Sequence, residues 1–556
     1  MTSSLLRSPA APSTGLRPAL LRRGPVIPAY ALTSLVALFI MAADNRSFWA
    51  RAGAIFDNPV SVMQFGAALF ALTLFLLSAF GPGRLQKPVL VFVLMLSAVT
   101  SYYMDSLGVM IDRDMIQNAM TTTFNESRHL ITPGFLLHVA LFGLLPSLAV
   151  LWLQVAPRRF LRRLLGWGGM VLASLALFAG LILSDFKTFS AVLREHKELV
   201  GSYQPGAPLG GAVRYAKMML KSRDVTVAPL GADAVKGPRL AAAKKPVLTV
   251  LVVGETARAQ NFGLNGYARD TTPELAARGV MAFQDVESCG TATAVSMPCM
   301  FSALGREGYS YDKGIRQENL LDVLHHAGVA VEWWDNNTGD KGLAGRIGKA
   351  RSMDEPGDPA FCGSGECTDG IFLGALGEAV AGMTEDTVLV LHQIGSHGPA
   401  YHLRYPPEFE RFTPACQTAE FAECSVEEIR NAYDNTILYT DHVLASAIDL
   451  LAAQDRVIPA LLYISDHGES LGEDGLYLHG APRFMAPETQ TRVPMVLWLS
   501  EAYRRSFGVD PACVAARGKG LSHDNLFPSV LGLMDITTSA RREDLDLFAP
   551  CHIEAS

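Results

Sequence analysis

Apolar and polar positions divide the chain into two halves. Up to about residue 184, apolar residues run in long blocks over roughly 28–43, 60–81, 88–104, 132–155 and 164–184. Each block is near the ~20 residues a helix needs to cross a bilayer, so five transmembrane helices are predicted over residues 1–184. From residue 246 the pattern changes to short β-branched runs that alternate with stretches of helical period. "VLTVLVVGE", "VAVEWWDNN", "DTVLVLHQIGSHG", "ALLYISDHG" and "VPMVLWLS" read as buried strands. "TPELAARG", "NLLDVLHHAG" and the long run beginning "VEEIRNAYDN" read as helices. This alternation predicts an α/β domain over 246–556 with a mostly parallel central sheet. Residues 185–245 read as a tether and linker: an amphipathic stretch at "FKTFSAVLREHKELV", then "QPGAPLGG" and a Lys/Ala/Pro run.

Charge orients the apolar half. Arg7, Arg17, Arg22 and Arg23 precede the first block, Arg84 and Lys87 lie in the second short loop, and Arg158, Arg159, Arg162 and Arg163 lie in the fourth. Basic loops stay in the cytoplasm, which puts the N-terminus inside and everything after the fifth block outside. A signal peptide cleaved near "MAAD" would leave the C-terminal half on the same side, but the long basic leader argues against one. Five spans exceed what an anchor needs and point to a lipid-handling role. Composition agrees: 49% of the residues are hydrophobic and 18% charged, more apolar than a soluble enzyme of 556 residues requires. A net charge of −7 with no broad basic face excludes a nucleic-acid partner. All eight cysteines fall at or after Cys289, in the half placed outside, and read as disulfides of an oxidising compartment. The rival, cytosolic zinc binding, lacks paired C-x-x-C sites.

The candidate chemistry sits at strand ends, where α/β sheets place their sites. Glu255 closes "VLTVLVVGE", His397 follows "TVLVLHQIGS", and Asp466 and His467 close "LLYISDH". One such residue alone would be structural. Several converging carboxylates and imidazoles are what Zn²⁺ accepts at a catalytic site with an open position. "YLHG" adds His479. In "SCGTATAVSMPCMFSALG", residues 288–305, Cys289 and Cys299 bracket hydroxyls that would lie at a helix start, an end that attracts phosphate oxygens. A hydroxyl needs a base or a metal before it acts as a nucleophile. Ordinary N-capping is the plain alternative for "GTATAVS".

Taken together, "VVGETARAQNFGLNGYARDTTP", "SCGTATAVSMPCMFS", "WWDNNTGDKG", "LHQIGSHGPAY", "NAYDNTILYTD" and "SDHGESLGEDGLYLHG" give a specific resemblance over nearly the whole length. The chain resembles the phosphoethanolamine–lipid A transferases, the family that includes the MCR colistin-resistance proteins. The resemblance implies a multi-pass inner-membrane enzyme of a Gram-negative bacterium, with a cytoplasmic N-terminus and a periplasmic alkaline-phosphatase/sulfatase-like domain. It implies zinc ligands Glu255, Asp466 and His467, with Thr293 as both nucleophile and fourth ligand. One zinc is expected, with room for a second near His397 and His479, which match family histidines beside the phosphate. Asn337 and Lys341 match residues that contact phosphoethanolamine.

In the membrane half, Asn118, Thr122 and Glu126 recur at intervals of four, which puts them on one helical face. In the family these residues help to hold the lipid donor. Of the 105 connectivities that eight cysteines allow, the expectation is sequential: Cys289–Cys299, Cys362–Cys367, Cys416–Cys424 and Cys513–Cys551. The implied reaction moves phosphoethanolamine from phosphatidylethanolamine to lipid A through a threonine intermediate, on a monomeric enzyme at the bilayer, and confers polymyxin resistance. Rival readings are transfer to inner-core sugars, a membrane-bound phosphodiesterase or sulfatase-like hydrolase, and a catalytically dead receptor or scaffold. "TATAVSMPC" lacks the C-x-P-S-R or S-x-P-S-R context of sulfatases, and a dead domain would lack ligands or nucleophile, all of which are present.

Overall fold

The computed structural model describes residues 24–81, 83–353, 357–363 and 365–552. The leader arginines Arg7, Arg17, Arg22 and Arg23 lie outside the described residues. Among the described residues, four helices are long and apolar enough to cross a membrane: Pro59–Phe80, Gly83–Leu107, Pro133–Trp152 and Phe160–Ser184. The first apolar block forms the shorter helix Ala29–Ala43, whose 15 residues rise about 22 Å, short of the hydrocarbon thickness. Its Leu32, Val36 and Ile40 pack with Leu74 of Pro59–Phe80 and with Leu90 and Leu94 of Gly83–Leu107. Phe160–Ser184 buries only Ser174. It therefore presents apolar side chains almost all round, as a helix facing lipid does.

The stretch that reads as a linker is largely helical. Phe186–Glu195, Lys197–Gly201 and Gly206–Lys221 follow the last spanning helix. The prolines and glycines that suggest a linker cluster at the start of Gly206–Lys221, where Pro205 is the N-cap and Pro208 lies in the first turn, so neither costs a helical hydrogen bond. Gly211 has a packing reason. A Cβ there would lie 2.9 Å from the Asp112 carbonyl carbon.

The C-terminal half is built on an eight-stranded sheet. Val247–Gly254 lies at its centre, parallel to Thr387–His392 on one side and Ile458–Ser465 on the other. Beyond Thr387–His392 come Ala330–Asp335 and Ala350–Ser352, also parallel. On the other side Arg492–Leu499 runs antiparallel to both of its neighbours, Ile458–Ser465 and Met281–Glu287, and Leu521–Ser522 closes the edge parallel to Met281–Glu287. The sheet is thus mixed but mostly parallel. Val247, Leu251 and Val253 enter one core, while Leu248, Val250 and Val252 enter the other. Burial on both faces explains the unbroken apolar run of this strand. The long helix Val426–Ala452 starts at a capping box of Ser425 and Glu428 and packs Tyr433, Ile437 and Ile448 onto the second face. Four disulfides join Cys289–Cys299, Cys362–Cys367, Cys416–Cys424 and Cys513–Cys551.

Candidate active site

Sheet register assembles the site. Gly254 pairs with Ser465 at the last position of their ladder, so the next residues, Glu255 and Asp466, leave the sheet side by side. Ligand atoms of Glu255, Asp466 and His467 all lie within 4.8 Å of one another, and all three residues are buried. His467 Nε2 is 3.3 Å from both Glu255 Oε1 and Asp466 Oδ2. Its Nδ1 is 2.9 Å from the Gly468 carbonyl, which turns Nε2 toward the carboxylates. Thr293 opens the helix Thr293–Met300 and brings a hydroxyl to this group. Its Oγ1 donates toward the Glu255 carboxylate, 3.0 Å from either oxygen, and lies 3.3 Å from His467 Nε2. Thr291 instead donates to the Ala481 carbonyl, and Ser296 to the Asp466 carbonyl. Of the three hydroxyls, Thr293 alone faces the cluster.

These residues fit a divalent metal. Asp466 Oδ2 is buried and accepts no hydrogen bond from the described residues. Burial and the adjacent Glu255 charge push the Asp466 carboxyl well above the usual carboxylate range, so the two carboxylates crowd one another where a cation would relieve them. Two carboxylates, an imidazole and a hydroxyl form a nitrogen–oxygen donor set suited to zinc.

Histidines and amides surround this group. His479 Nδ1 is 2.9 Å from Glu469 Oε2, and Tyr401 donates to Glu469 Oε1 at 2.7 Å. Burial lowers the His479 pKa against the pull of Glu469. Its ring centroid lies 4.5 Å from that of His467 and 5.3 Å from that of His397. His397 Nε2 meets Glu126 Oε1 of the membrane half at 2.7 Å. Burial opposes a charge on His397, but the Glu126 carboxylate outweighs it and raises the pKa to about 9. Asn337 donates to Glu255 Oε2 and to the Gln393 carbonyl, both at 2.8 Å. Lys341 donates to the Thr338 carbonyl at 2.8 Å and to the Thr121 carbonyl at 3.2 Å. Thr256, Lys341 and Leu478 have positive φ of 52°, 50° and 61°. All three are next to or among the candidate residues, where backbone strain tends to collect. Gly395 is required by a close approach, because a Cβ there would lie 2.6 Å from the Glu255 carbonyl oxygen.

The single helical face expected for Asn118, Thr122 and Glu126 does not exist. The helix Arg113–Thr121 ends before Thr122, which is extended, and Thr123 caps a second helix, Phe124–His129, by accepting from the Glu126 amide at 3.3 Å. Consecutive β-branched threonines favour this break over continuation. Even so, the three residues line one mainly apolar cavity of about 400 Å³ that reaches His397 and His479.

Other residues at the site carried weaker sequence signals. Glu469 lies three positions beyond Asp466 in "SDHGES", and His392 sits on the strand before His397, with Nε2 4.0 Å from Glu255 Oε2 and Nδ1 2.8 Å from Asp335 Oδ2. Arg404 donates to the His397 carbonyl at 2.8 Å and pairs with Glu366, which also meets His129 at 3.0 Å. No local pattern announces that relay.

Known proteins resemble this chain in sequence and in fold. A family model described as Sulfatase matches residues 248–536. A second, described as Phosphoethanolamine transferase EptA/EptB, matches residues 69–220. Phosphoethanolamine transferase EptA of Escherichia coli strain K12 is 40% identical over 471 residues, covering 84% of this chain and 86% of that protein. Phosphatidylethanolamine transferase Mcr-1 of Escherichia coli is 37% identical over 526 residues, covering 91% and 95%. The solved structure of the integral membrane protein lipooligosaccharide phosphoethanolamine transferase A (EptA) from Neisseria meningitidis superposes with a TM-score of 0.91 at 36% identity. It covers 95% of this chain and 100% of that one.

Proposed function

The chain belongs to the phosphoethanolamine transferases of the EptA type, and on that premise we propose that it moves phosphoethanolamine from phosphatidylethanolamine to lipid A by way of Thr293. The observation that carries this reading is the Thr293 hydroxyl, held 3.0 Å from both Glu255 oxygens at the helix start. In the first step Thr293 Oγ1 attacks the donor phosphorus, its proton leaves, and diacylglycerol departs with the ester oxygen and a proton. In the second step an acceptor phosphate oxygen attacks the same phosphorus and Thr293 is restored. Zinc held by Glu255, Asp466, His467 and Thr293 would supply Lewis acidity and lower the threonine hydroxyl pKa. His479, neutral because burial lowers its pKa, can exchange a proton with the leaving or entering oxygen. His397, charged beside Glu126, and Lys341 bring positive charge to the phosphate, while Asn337 holds the Glu255 carboxylate in place. Asn118, Thr122 and Glu126 hold the donor from the membrane side, with its acyl chains toward the apolar cavity wall.

This reading divides the chain into a lipid-handling part over 1–184, a connecting part over 185–245 and a catalytic part over 246–556. It places the protein in the inner membrane as a monomer, with the N-terminus cytoplasmic, the catalytic part periplasmic and no nucleic-acid partner. A lipopolysaccharide-type acceptor is supported by the Neisseria relative, whose name specifies lipooligosaccharide. Mass spectrometry of lipid A from cells with and without the protein tests the acceptor: a gain of one phosphoethanolamine is expected. Unmodified lipid A beside modified inner-core sugars, or free phosphoethanolamine alone, contradicts it.

A further inference from the structure

A second cavity of about 400 Å³ lies on the other side of the segment that borders the donor cavity. Met110 and Asp112 line this second cavity, whereas Ile111, Met115 and Ile116 line the first. One stretch of chain is therefore the partition between them. The far wall is formed by Leu193, Lys197 and Arg214 of the connecting helices and by Phe484 of the catalytic half.

Three features of this space point to a ligand. Lys197 and Arg214 are exposed and make no ion pair among the described residues. Against these two cations the lining carries one acid, Asp112, which caps the helix Arg113–Thr121 by accepting from the Asp114 and Met115 amides at 2.9 Å. The cavity therefore carries a surplus of positive charge. Its wall is also apolar: Phe484 is 55% exposed, with the Lys197 ammonium 5.4 Å from its ring centroid, and Leu193 is 39% exposed. It also lies next to a membrane span along the chain. The spanning helix Phe160–Ser184 ends just before Phe186–Glu195, so the chain that carries Leu193 and Lys197 leaves directly from the end of a membrane span.

The loop that carries Phe484 is hydrogen-bonded to the loop that carries the nucleophile. Gly480 donates to the Thr291 carbonyl at 2.7 Å, and Thr291 donates to the Ala481 carbonyl at 2.7 Å. Phe484 stands three residues beyond Ala481, and Thr293 two beyond Thr291. We propose that this cavity is the acceptor subsite, in which Lys197 and Arg214 hold a lipid-anchored phosphate while Phe484 and Leu193 cover the adjoining sugar or acyl surface. The assignment rests on the transfer reaction proposed above. In the second step the P–O bond to Thr293 breaks as a P–O bond to the acceptor forms, and Thr293 regains a proton. A donor and an acceptor entering on opposite faces of Met110–Ile116 need not exchange places between steps.

The test uses the full-length protein with Lys197→Ala and Arg214→Ala together. Diacylglycerol release from phosphatidylethanolamine without acceptor reads the first step, and transfer to added lipid A reads the second. The expected result is an unchanged first step and a KM for lipid A raised at least ~10-fold, since each lost charge-assisted phosphate contact weakens binding. Lys197→Arg with Arg214→Lys should restore it. An unchanged lipid A KM overturns the assignment, and so does an equal loss of both steps. Phosphatidylglycerol supplies the same lipid-anchored phosphate without the sugar. If it abolishes the difference between wild type and variant, the cavity is a general headgroup site and the acceptor assignment is overturned. A wild-type protein that releases no diacylglycerol contradicts the transfer reaction itself.

Discussion

Thr293, Thr291 and Ser296 share a hydroxyl and differ in what that hydroxyl touches. Thr293 meets the Glu255 carboxylate, whereas the other two are spent on carbonyls. Thr293→Ala should lower transfer by as much as removing the nucleophile of a catalytic triad does, about a million-fold. Thr293→Ser should keep part of the activity, because the oxygen remains but loses the rotamer restriction of the β-methyl. Chelation, or Glu255→Ala, should cost several kcal/mol of transition-state stabilisation while the spanning helices stay inserted. Full turnover in a verified metal-free preparation would contradict that. The Glu126–His397 pair gives a pH signature. With the His397 pKa raised to about 9 from an ordinary 6.5, its contribution to stability is complete below about 6.5 and lost as pH rises through about 9. The Glu126 pKa is lowered, burial being outweighed by His397, so its contribution is lost only as pH falls below its ordinary range. Glu126→Gln should lower stability by about 1.5–3 kcal/mol near pH 6 and flatten the pH profile of the melting temperature between 6.5 and 9. Glu255, Asp466 and His467 were legible because each closes an apolar run. Glu366 and Arg404 were not, because their partners lie far away in sequence.

At the scale of elements, apolar periodicity located the five named strands but not their directions. A strand buried on both faces reads the same whether its neighbour is parallel or antiparallel, so Arg492–Leu499 gave no sign of running against Ile458–Ser465. Met281–Glu287 escaped notice because only Phe283 and Val286 are fully buried in it. Spacing of four suggested one helix through Asn118, Thr122 and Glu126, and a capping threonine divided it into two. That break positions Glu126 against His397. Thr123→Ala should therefore cost about 1 kcal/mol of local helix stability and slow diacylglycerol release, with Thr123→Ser restoring both. Unchanged release kinetics would mean that the cap does not set the Glu126 position.

For the molecule as a whole, the two halves meet through polar contacts that no local pattern predicts. Tyr102 donates to Glu420 at 2.7 Å, and Glu420 also accepts from the Gly134 amide at 3.2 Å. A reporter fused after residue 185 should be active only in the periplasm, as the basic loops require. Phosphoethanolamine on a lipid A phosphate offsets negative charge with an ammonium, which weakens attraction for cationic peptides. Expression should therefore raise polymyxin tolerance, and unchanged tolerance with unmodified lipid A would favour another acceptor. The central claim is a two-step transfer carried by one threonine. Purified protein incubated with phosphatidylethanolamine and no acceptor, then digested with trypsin and analysed by mass spectrometry, tests it most directly. The account predicts one added phosphoethanolamine mass on Thr293. The same mass on Thr291 or Ser296, or no adduct while transfer to lipid A proceeds, would contradict it.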